Sequence, residues 1–169
     1  QLMVLTPTRE LAIQVAEACQ RYASALSGFQ VLPLYGGSEY GGQIRQLKRG
    51  VHLIVGTPGR INDHLERGSL KLNDTTFLVL DETDRMLDMG FTVQLDKIFK
   101  YMPKKRQTLM FSATLPKNIL KLSEQYLSYP KRVSVGATNV VASNIKQDVI
   151  RIEQDAKYKE LMSQLYDRN

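Results

Sequence analysis

The stretch Thr76–Leu87, TFLVLDETDRML, constrains this chain more than any other, because an apolar run breaks into three acids within four positions. Phe77, Leu78, Val79 and Leu80 have the character of a strand buried on both faces, as a parallel sheet covered by helices on each side requires. Asp81, Glu82 and Asp84 then fall at the C-terminal end of that strand, where open α/β sheets place their ligands. One carboxylate there can hold Mg²⁺ through its water shell while the next orients an attacking water, a division that suits a metal-bound triphosphate. A hydrophobic strand ending in Asp-Glu is the Walker B pattern. The plainer alternative is that Asp81 and Asp84 cap the following helix and complement its dipole. The other loops of the chain weigh against it.

Those loops recur with regularity. Leu2–Thr6 has the pattern of a strand, followed by Leu11, Val15, Cys19, Tyr22, Ala23 and Leu26 at helical spacing until Gly28. Val31–Tyr35 is a second strand closed by Gly36 and Gly37; Gln43–Arg49 a short polar helix stopped by Gly50; Val51–Val55 another buried strand. A helix over about Arg60–Arg67 ends at Gly68 and precedes the strand ending in the acids. Leu95, Ile98, Phe99 and Met102 mark the next helix, Thr108–Phe111 a strand, and Pro116 opens a last helix carrying Ile119, Leu120, Leu122, Tyr126 and Leu127. Strands alternating with helices predict βαβ units and one doubly wound parallel sheet. Right-handed crossovers bring the loops after successive strands to one edge. Thr6–Arg9, Gly36–Gly37, Thr57–Arg60, Asp81–Asp84 and Ser112–Thr114 should therefore share a single rim, and every one of them is polar or glycine-rich.

Arg132–Val135 closes this unit as a further strand. Gly136–Asn144, GATNVVASN, has the small and polar residues of a linker, and a domain boundary is placed there. Ile145–Glu153 then has the pattern of a new strand, and Tyr158, Leu161, Met162, Leu165 and Tyr166 that of an amphipathic helix. The expected organisation is a first domain over 1–135, a linker over 136–144 and the start of a second domain over 145–169. The opening QLMVLT has no initiator Met and no basic leader, so the chain reads as the middle of something longer.

Twenty-three Lys and Arg against 17 Asp and Glu give a formal charge of +6, which favours a polyanionic partner. The tract Lys104–Arg106 follows Pro103 and is expected to be a solvated turn rather than a binding patch. No apolar run approaches the roughly 20 residues of a membrane span. The single Cys19, on the apolar face of a helix, is expected to be a core thiol. Its isolation points to a reducing compartment, the cytoplasm, with nucleus or nucleolus left open. His52 and His64 have no Cys or His at metal-ligand spacing and receive no role.

The motifs in this order resemble those of the DEAD-box RNA helicases, superfamily 2 ATPases built from two RecA-like domains. Pro7-Thr8-Arg9-Glu10-Leu11-Ala12 is similar to motif Ia, Gly36-Gly37 to the GG motif and Thr57-Pro58-Gly59-Arg60 to motif Ib. Asp81-Glu82-Thr83-Asp84 resembles motif II and Ser112-Ala113-Thr114 motif III, with Met86–Phe91, MLDMGF, a further family-like stretch. Five motifs in order, each after a predicted strand, are specific where each alone is not.

The resemblance implies a RecA-like fold that uses ATP and Mg²⁺ and binds RNA. It assigns Asp81 to the Mg²⁺ shell, Glu82 to positioning and deprotonating the attacking water, and Asp84 to hydrogen bonds with Ser112 and Thr114. Thr83 stands where the name motif has Ala, and is expected to be tolerated because that side chain does no chemistry. Pro7, Thr8, Arg9, Gly36, Gly37, Thr57, Pro58, Gly59 and Arg60 are implied as the RNA rim. Hydroxyls and helix-start N–H groups would meet phosphate there, and glycines would let the sugar-phosphate chain approach. Arg9 is equally suited to pairing with phosphate and to bracing a neighbouring carboxylate.

The chain contains no G-x-x-x-x-G-K-[ST] phosphate loop. In the family that loop and the adenine-reading Q motif precede the position of Gln1, and the arginine finger follows in the second domain. The expected sheet thus lacks the N-terminal phosphate-loop strand, leaving a gap between Thr108–Phe111 and Arg132–Val135. Two functions follow: a fragment of an ATP-dependent RNA helicase, inactive by itself, or an RNA-binding or interaction module without ATPase activity. A DNA-directed superfamily 2 enzyme is disfavoured by the motif Ia and motif III sequences.

Overall fold

A computed structural model describes residues 1–135 and 148–166, in two compact units, Gln1–Ser134 and Val135–Asn169. The first unit alternates strand and helix: β1 (Leu2–Leu5), α1 (Arg9–Tyr22), β2 (Val31–Leu34), α2 (Tyr40–Arg49), β3 (Leu53–Gly56), α3 (Pro58–Glu66) and β4 (Phe77–Leu80), then α4 (Thr83–Asp88), α5 (Thr92–Lys100), β5 (Gln107–Met110) and α6 (Lys117–Tyr126). All pairings are parallel and the strand order is β2-β3-β1-β4-β5, the doubly wound RecA-like α/β sheet expected from the sequence.

Side chains alternate across this sheet and feed two cores. Met3 and Leu5 of β1 join Leu32, Leu34, Ile54, Leu78 and Leu80 on one face, packed against Ile61 and Leu65 of α3 and Leu95 and Ile98 of α5. Val4, Leu53 and Val55 face the other way, onto Ala12 and Ala16 of α1. Two alanines at that spacing let α1 approach the strands closely. Because α1 is the helix covering that face, β4 is not buried on both sides as its sequence predicts. Leu78 and Leu80 are fully buried while Phe77 and Val79 are only half-buried, and β1, not β4, is the middle strand.

Helix α1 also ends earlier than its apolar spacing indicates. Ala23 caps it by donating to Cys19 O at 2.9 Å, and Tyr22 and Leu26 are 87% and 59% exposed. Pro116 stands just outside α6, as its N-cap, rather than at the first helical position.

Three expectations at the C-terminal end need correction or fall outside the description. Arg132–Val135 is not a strand: its residues are exposed, Val133 and Val135 at 86% and 97%, and among the described residues no strand pairs with them. The anticipated gap between two strands is therefore replaced by an open edge on β5, beside a groove of about 680 Å³ lined by Thr108, Met110, Tyr126 and Tyr129. An apolar sequence alone does not make a strand where no ladder partner meets its N–H and C=O groups. Of the strand expected over Ile145–Glu153, residues 148–153 have no strand structure. Residues 145–147 and the linker 136–144 lie outside the described residues. In the second unit a 3-10 turn (Gln154–Ala156) leads into α7 (Lys157–Tyr166), none of whose residues is buried.

Gly56 ends β3 against Leu34 of β2 and Ile61 of α3. A Cβ there would lie 2.7 Å from Leu34 O and 2.8 Å from Ile61 Cδ1. Gly56→Ala is expected to destabilise the first unit by about 1–3 kcal/mol, the range for overpacking a rigid site, read as a lowered urea midpoint with an unchanged slope.

Candidate functional site

The strands end level. Leu34, Gly56, Leu5, Leu80 and Met110 occupy one row of the register, and the next residues continue it: Thr57 donates to Leu34 O, Thr6 to Gly56 O, Asp81 to Leu5 O and Phe111 to Leu80 O at 2.8–3.0 Å. The loops leaving this row are those singled out in the sequence.

Asp81 is the first residue beyond β4, and its Oδ1 accepts the Glu82 N–H at 3.0 Å. Glu82 adopts a left-handed conformation, φ 46° and ψ 52°, which a residue with a Cβ takes up only against strain, and such strain gathers at functional sites. This turn starts α4. The Glu82 carboxylate lies 3.2 Å from Arg85 Nη1, so the candidate base is engaged by a neighbour one helical turn away. Thr83 points inward and is fully buried, its hydroxyl donating to Leu80 O at 3.4 Å and its N–H to Phe111 O at 3.0 Å. A threonine fits here because its hydroxyl finds a carbonyl and its methyl enters the core.

Asp84 bridges two loops. Its Oδ2 accepts both the N–H and the hydroxyl of Thr114 at 2.9 Å, and its Oδ1 accepts the Arg85 N–H at 3.1 Å. Burial pushes the Asp84 pKa up, but the hydrogen bonds from Thr114, from the Arg85 N–H and, more weakly, from the Ser112 hydroxyl outweigh it and leave the pKa below the usual value. The Ser112 hydroxyl is directed chiefly at Thr114 O, at 2.7 Å, so Thr114 rather than Ser112 carries the direct link to Asp84.

Among the described residues no three His, Cys, Asp or Glu side chains converge on a metal position. Asp81, with one oxygen committed to a backbone N–H and the other outside any hydrogen bond among the described residues, fits Mg²⁺ held through water by a single carboxylate and completed by phosphate oxygens.

On the other side of the edge, Pro7, Thr8, Arg9, Gly36, Thr57, Gly59 and Arg60 line one cavity of about 560 Å³, joined by the acids Glu10 and Asp63 and by Met89 and Phe91; Gly37 and Pro58 are not in its lining. Thr8 caps α1, its hydroxyl accepting the Leu11 N–H at 3.2 Å. Thr57 precedes α3, but its own N–H is taken by Leu34 O; the N–H groups left to a ligand are those in the first turns of α1 and α3, at Arg9, Glu10, Gly59 and Arg60. Pro58 opens α3 and is buried, a helix start rather than a contact surface. Arg9 donates to Gly36 O at 3.3 Å, bracing a carbonyl instead of a carboxylate. Gly37 has φ +86°, a conformation that favours glycine, and it lies against the Arg9 guanidinium.

The sequence profile of the DEAD/DEAH box helicases matches residues 1–122. The chain belongs to the DEAD/DEAH box helicase family. It is 51% identical over 152 residues to the ATP-dependent RNA helicase DeaD of Mycobacterium tuberculosis, covering 90% of this chain and 27% of that protein. It is 43% identical over 167 residues to the DEAD-box ATP-dependent RNA helicase CshA of Geobacillus kaustophilus, and 41% identical over 169 residues to the ATP-dependent RNA helicase DbpA of Bacillus subtilis. The chain spans 35% of the length of each of these last two.

One group in this DEAD/DEAH box chain carried no signal in the sequence. His64 is fully buried: its Nδ1 lies 2.8 Å from Ser69 Oγ, its Nε2 2.9 Å from Gln43 Oε1, and its ring stacks on Tyr40 at 4.4 Å. A lone histidine on α3 gives no sign of partners 5 and 21 positions away. Arg106, expected in a solvated turn, instead lies over the Phe99 ring at 4.8 Å and donates to Pro103 O at 2.8 Å. No helix among the described residues is long and apolar enough to cross a membrane.

Burial first, and then the charge of Arg60, lowers the His64 pKa to about 4, with Arg67 adding to the fall and Asp63 opposing it. Below the unfolded value of about 6.5 the unfolded chain takes up a proton that the folded one refuses. Stability is therefore expected to fall as pH drops from about 6.5 to about 4 and to lose this dependence below. His64→Gln should flatten urea-midpoint profiles over that window; parallel profiles for the two proteins would contradict a neutral buried imidazole.

Proposed function

We propose that this chain is part of an ATP-dependent RNA helicase, in which Asp81 and Glu82 serve ATP hydrolysis and Pro7, Thr8, Arg9, Gly36, Gly37, Thr57, Gly59 and Arg60 hold RNA by its sugar-phosphate backbone, with Pro58 setting the start of α3 among them. The reading rests on one observation above the rest: Asp84 joins the loop after β4 to the loop after β5 through two bonds to Thr114, at the edge that also carries the rim cavity. That contact fixes the loop carrying the acids against the loop after β5, at one end of the row of strand ends whose other loops form the rim. Asp81 would hold Mg²⁺, which supplies charge neutralisation at the phosphates. Glu82, once released from Arg85, would orient and deprotonate the attacking water. The names of the relatives, all ATP-dependent RNA helicases, support this assignment. The same reading makes 1–135 the greater part of a first RecA-like domain, 136–144 a linker and 145–169 the start of a second.

Within the 169 residues there is no G-x-x-x-x-G-K-[ST] sequence to cradle the β- and γ-phosphates. This chain by itself is therefore expected to release phosphate from ATP only at the background rate, with or without RNA. RNA-stimulated turnover that vanishes in Glu82→Gln would overturn that expectation.

The rim reads backbone, not bases, so RNA binding by this chain should be weak and indifferent to sequence. A rim of this size reaches about two to four phosphates, each adding roughly 0.7 to the log-log salt slope for a single strand. Fluorescence anisotropy titrations of unrelated single-stranded oligoribonucleotides at several salt concentrations should give similar affinities and a slope of about −1.4 to −2.8. A strong preference among them, or no response to salt, would contradict the rim assignment.

A further inference from the structure

We propose that Gln43 and His64 are positioning residues for the rim, a buried amide–imidazole pair that ties the Gly36–Gly37 loop to the Thr57–Arg60 loop and holds the Arg60 guanidinium ready for phosphate. The proposal rests on the reading of the rim as an RNA site. Neither residue lines the rim cavity, and Gln43 is 5% exposed and His64 fully buried.

The chemistry of the donors settles the arrangement. Arg60 can only donate, so the Gln43 atom 3.1 Å from Arg60 Nη1 must be the amide oxygen. The amide nitrogen then faces Ser38 Oγ at 2.6 Å and Tyr35 O at 3.4 Å, the residues flanking Gly36–Gly37. The same amide oxygen lies 2.9 Å from His64 Nε2, which must therefore carry its proton. That leaves His64 Nδ1 to accept from the Ser69 hydroxyl at 2.8 Å. One irreversible donor thus orders every group from Arg60 to Ser69. A neutral His64 is also what the surroundings demand, since Arg60 and Arg67 both sit over the Tyr40 ring, at 5.3 and 4.8 Å, against which the imidazole stacks.

For Arg60 the consequence is direct. Its side chain is 12% exposed, its Nη1 is committed to Gln43, and its Nε lies 4.0 Å from Asp63 without a hydrogen bond. Nη2 makes no hydrogen bond among the described residues, and Arg60 lines the cavity. The guanidinium is thus held from behind through Nη1, with Nη2 left to a ligand. Without the Nε2–H of His64, the Gln43 amide loses one of the two donors that fix its plane, and the orientation of Arg60 loosens with it.

The test uses this chain and a single-stranded oligouridylate, with anisotropy as the readout. His64→Leu, which keeps bulk but removes the donor, is expected to weaken binding about three- to tenfold, and less than about twofold in an Arg60→Ala background. His64→Gln, whose amide N–H can replace Nε2–H, should stay within about twofold of the original chain. If His64→Leu does not fold, His64→Asn, which keeps an acceptor for Ser69 but cannot reach Gln43, takes its place. Equal losses in both Arg60 backgrounds would mean a purely structural role and overturn the proposal. If the unsubstituted chain does not bind the oligouridylate, the RNA reading fails and hydrogen–deuterium exchange decides the positioning. Faster exchange at both 35–43 and 57–69 in His64→Leu, reversed in His64→Gln, supports the coupling; no change, or change at one segment only, overturns it.

Discussion

The structure depends on the level pairing of β1 with β3 on one side and β4 on the other. Leu5 stands opposite both Gly56 and Leu80, and the row extends through Leu34 and Met110 to the edges of the sheet. Because the hydrogen-bond ladder runs one residue further, Thr6, Thr57, Asp81 and Phe111 are fixed by backbone bonds before their side chains do anything. Slipping any strand by one position would turn its apolar residues away from their cores and move its loop along the edge. The register that buries Met3, Leu5, Ile54, Leu78 and Leu80 therefore also brings the acids and the rim to one side.

From this row two different kinds of site are built. At β4 the chain turns at once through the left-handed Glu82, keeping Asp81 and Asp84 close to the sheet, with Asp84 tied to the next loop by Thr114. At β1 and β3 it runs into α1 and α3, whose first-turn N–H groups have no partner inside the helix. The three acids thus lie on the β4 side, and the free helix-start N–H donors on the β1 and β3 side. Thr83 is the hinge between strand and helix in the first of these. Its buried hydroxyl and N–H are both satisfied, which explains how a threonine occupies the place where the family's name motif has alanine.

Arg9, Arg60 and Arg106 show how the same residue type divides between surface and framework. Arg106 supports Phe99 and the turn after α5, Arg9 supports Gly36, and Arg60 is held against Gln43 and Tyr40. A net charge of +6 describes none of this. Of the cations at the rim, Arg9 is anchored by a backbone carbonyl and Arg60 by the Gln43 amide oxygen, with Asp63 a further 4.0 Å partner of Arg60 Nε.

The sequence by itself determined the alternation of strands and helices, the parallel sheet and the common edge of its loops, because hydrophobic period and glycine or proline punctuation are local properties. It also marked Asp81, Glu82 and Asp84, since three acids directly after an apolar run are legible without knowing their neighbours. Only the tertiary structure decided which side chains answer one another. It gave Asp84 its two short bonds from Thr114 with Ser112 a weaker contributor, turned Arg9 to a carbonyl, and gave the isolated His64 its partners on α2 and beyond α3. It also denied strand structure to Arg132–Val135 and residues 148–153, whose apolar residues have a strand's composition but are not in a sheet among the described residues. Hydrogen bonds between residues far apart in sequence, and the pairing that makes a segment a strand, are properties of neighbours in space, and no local pattern contains them.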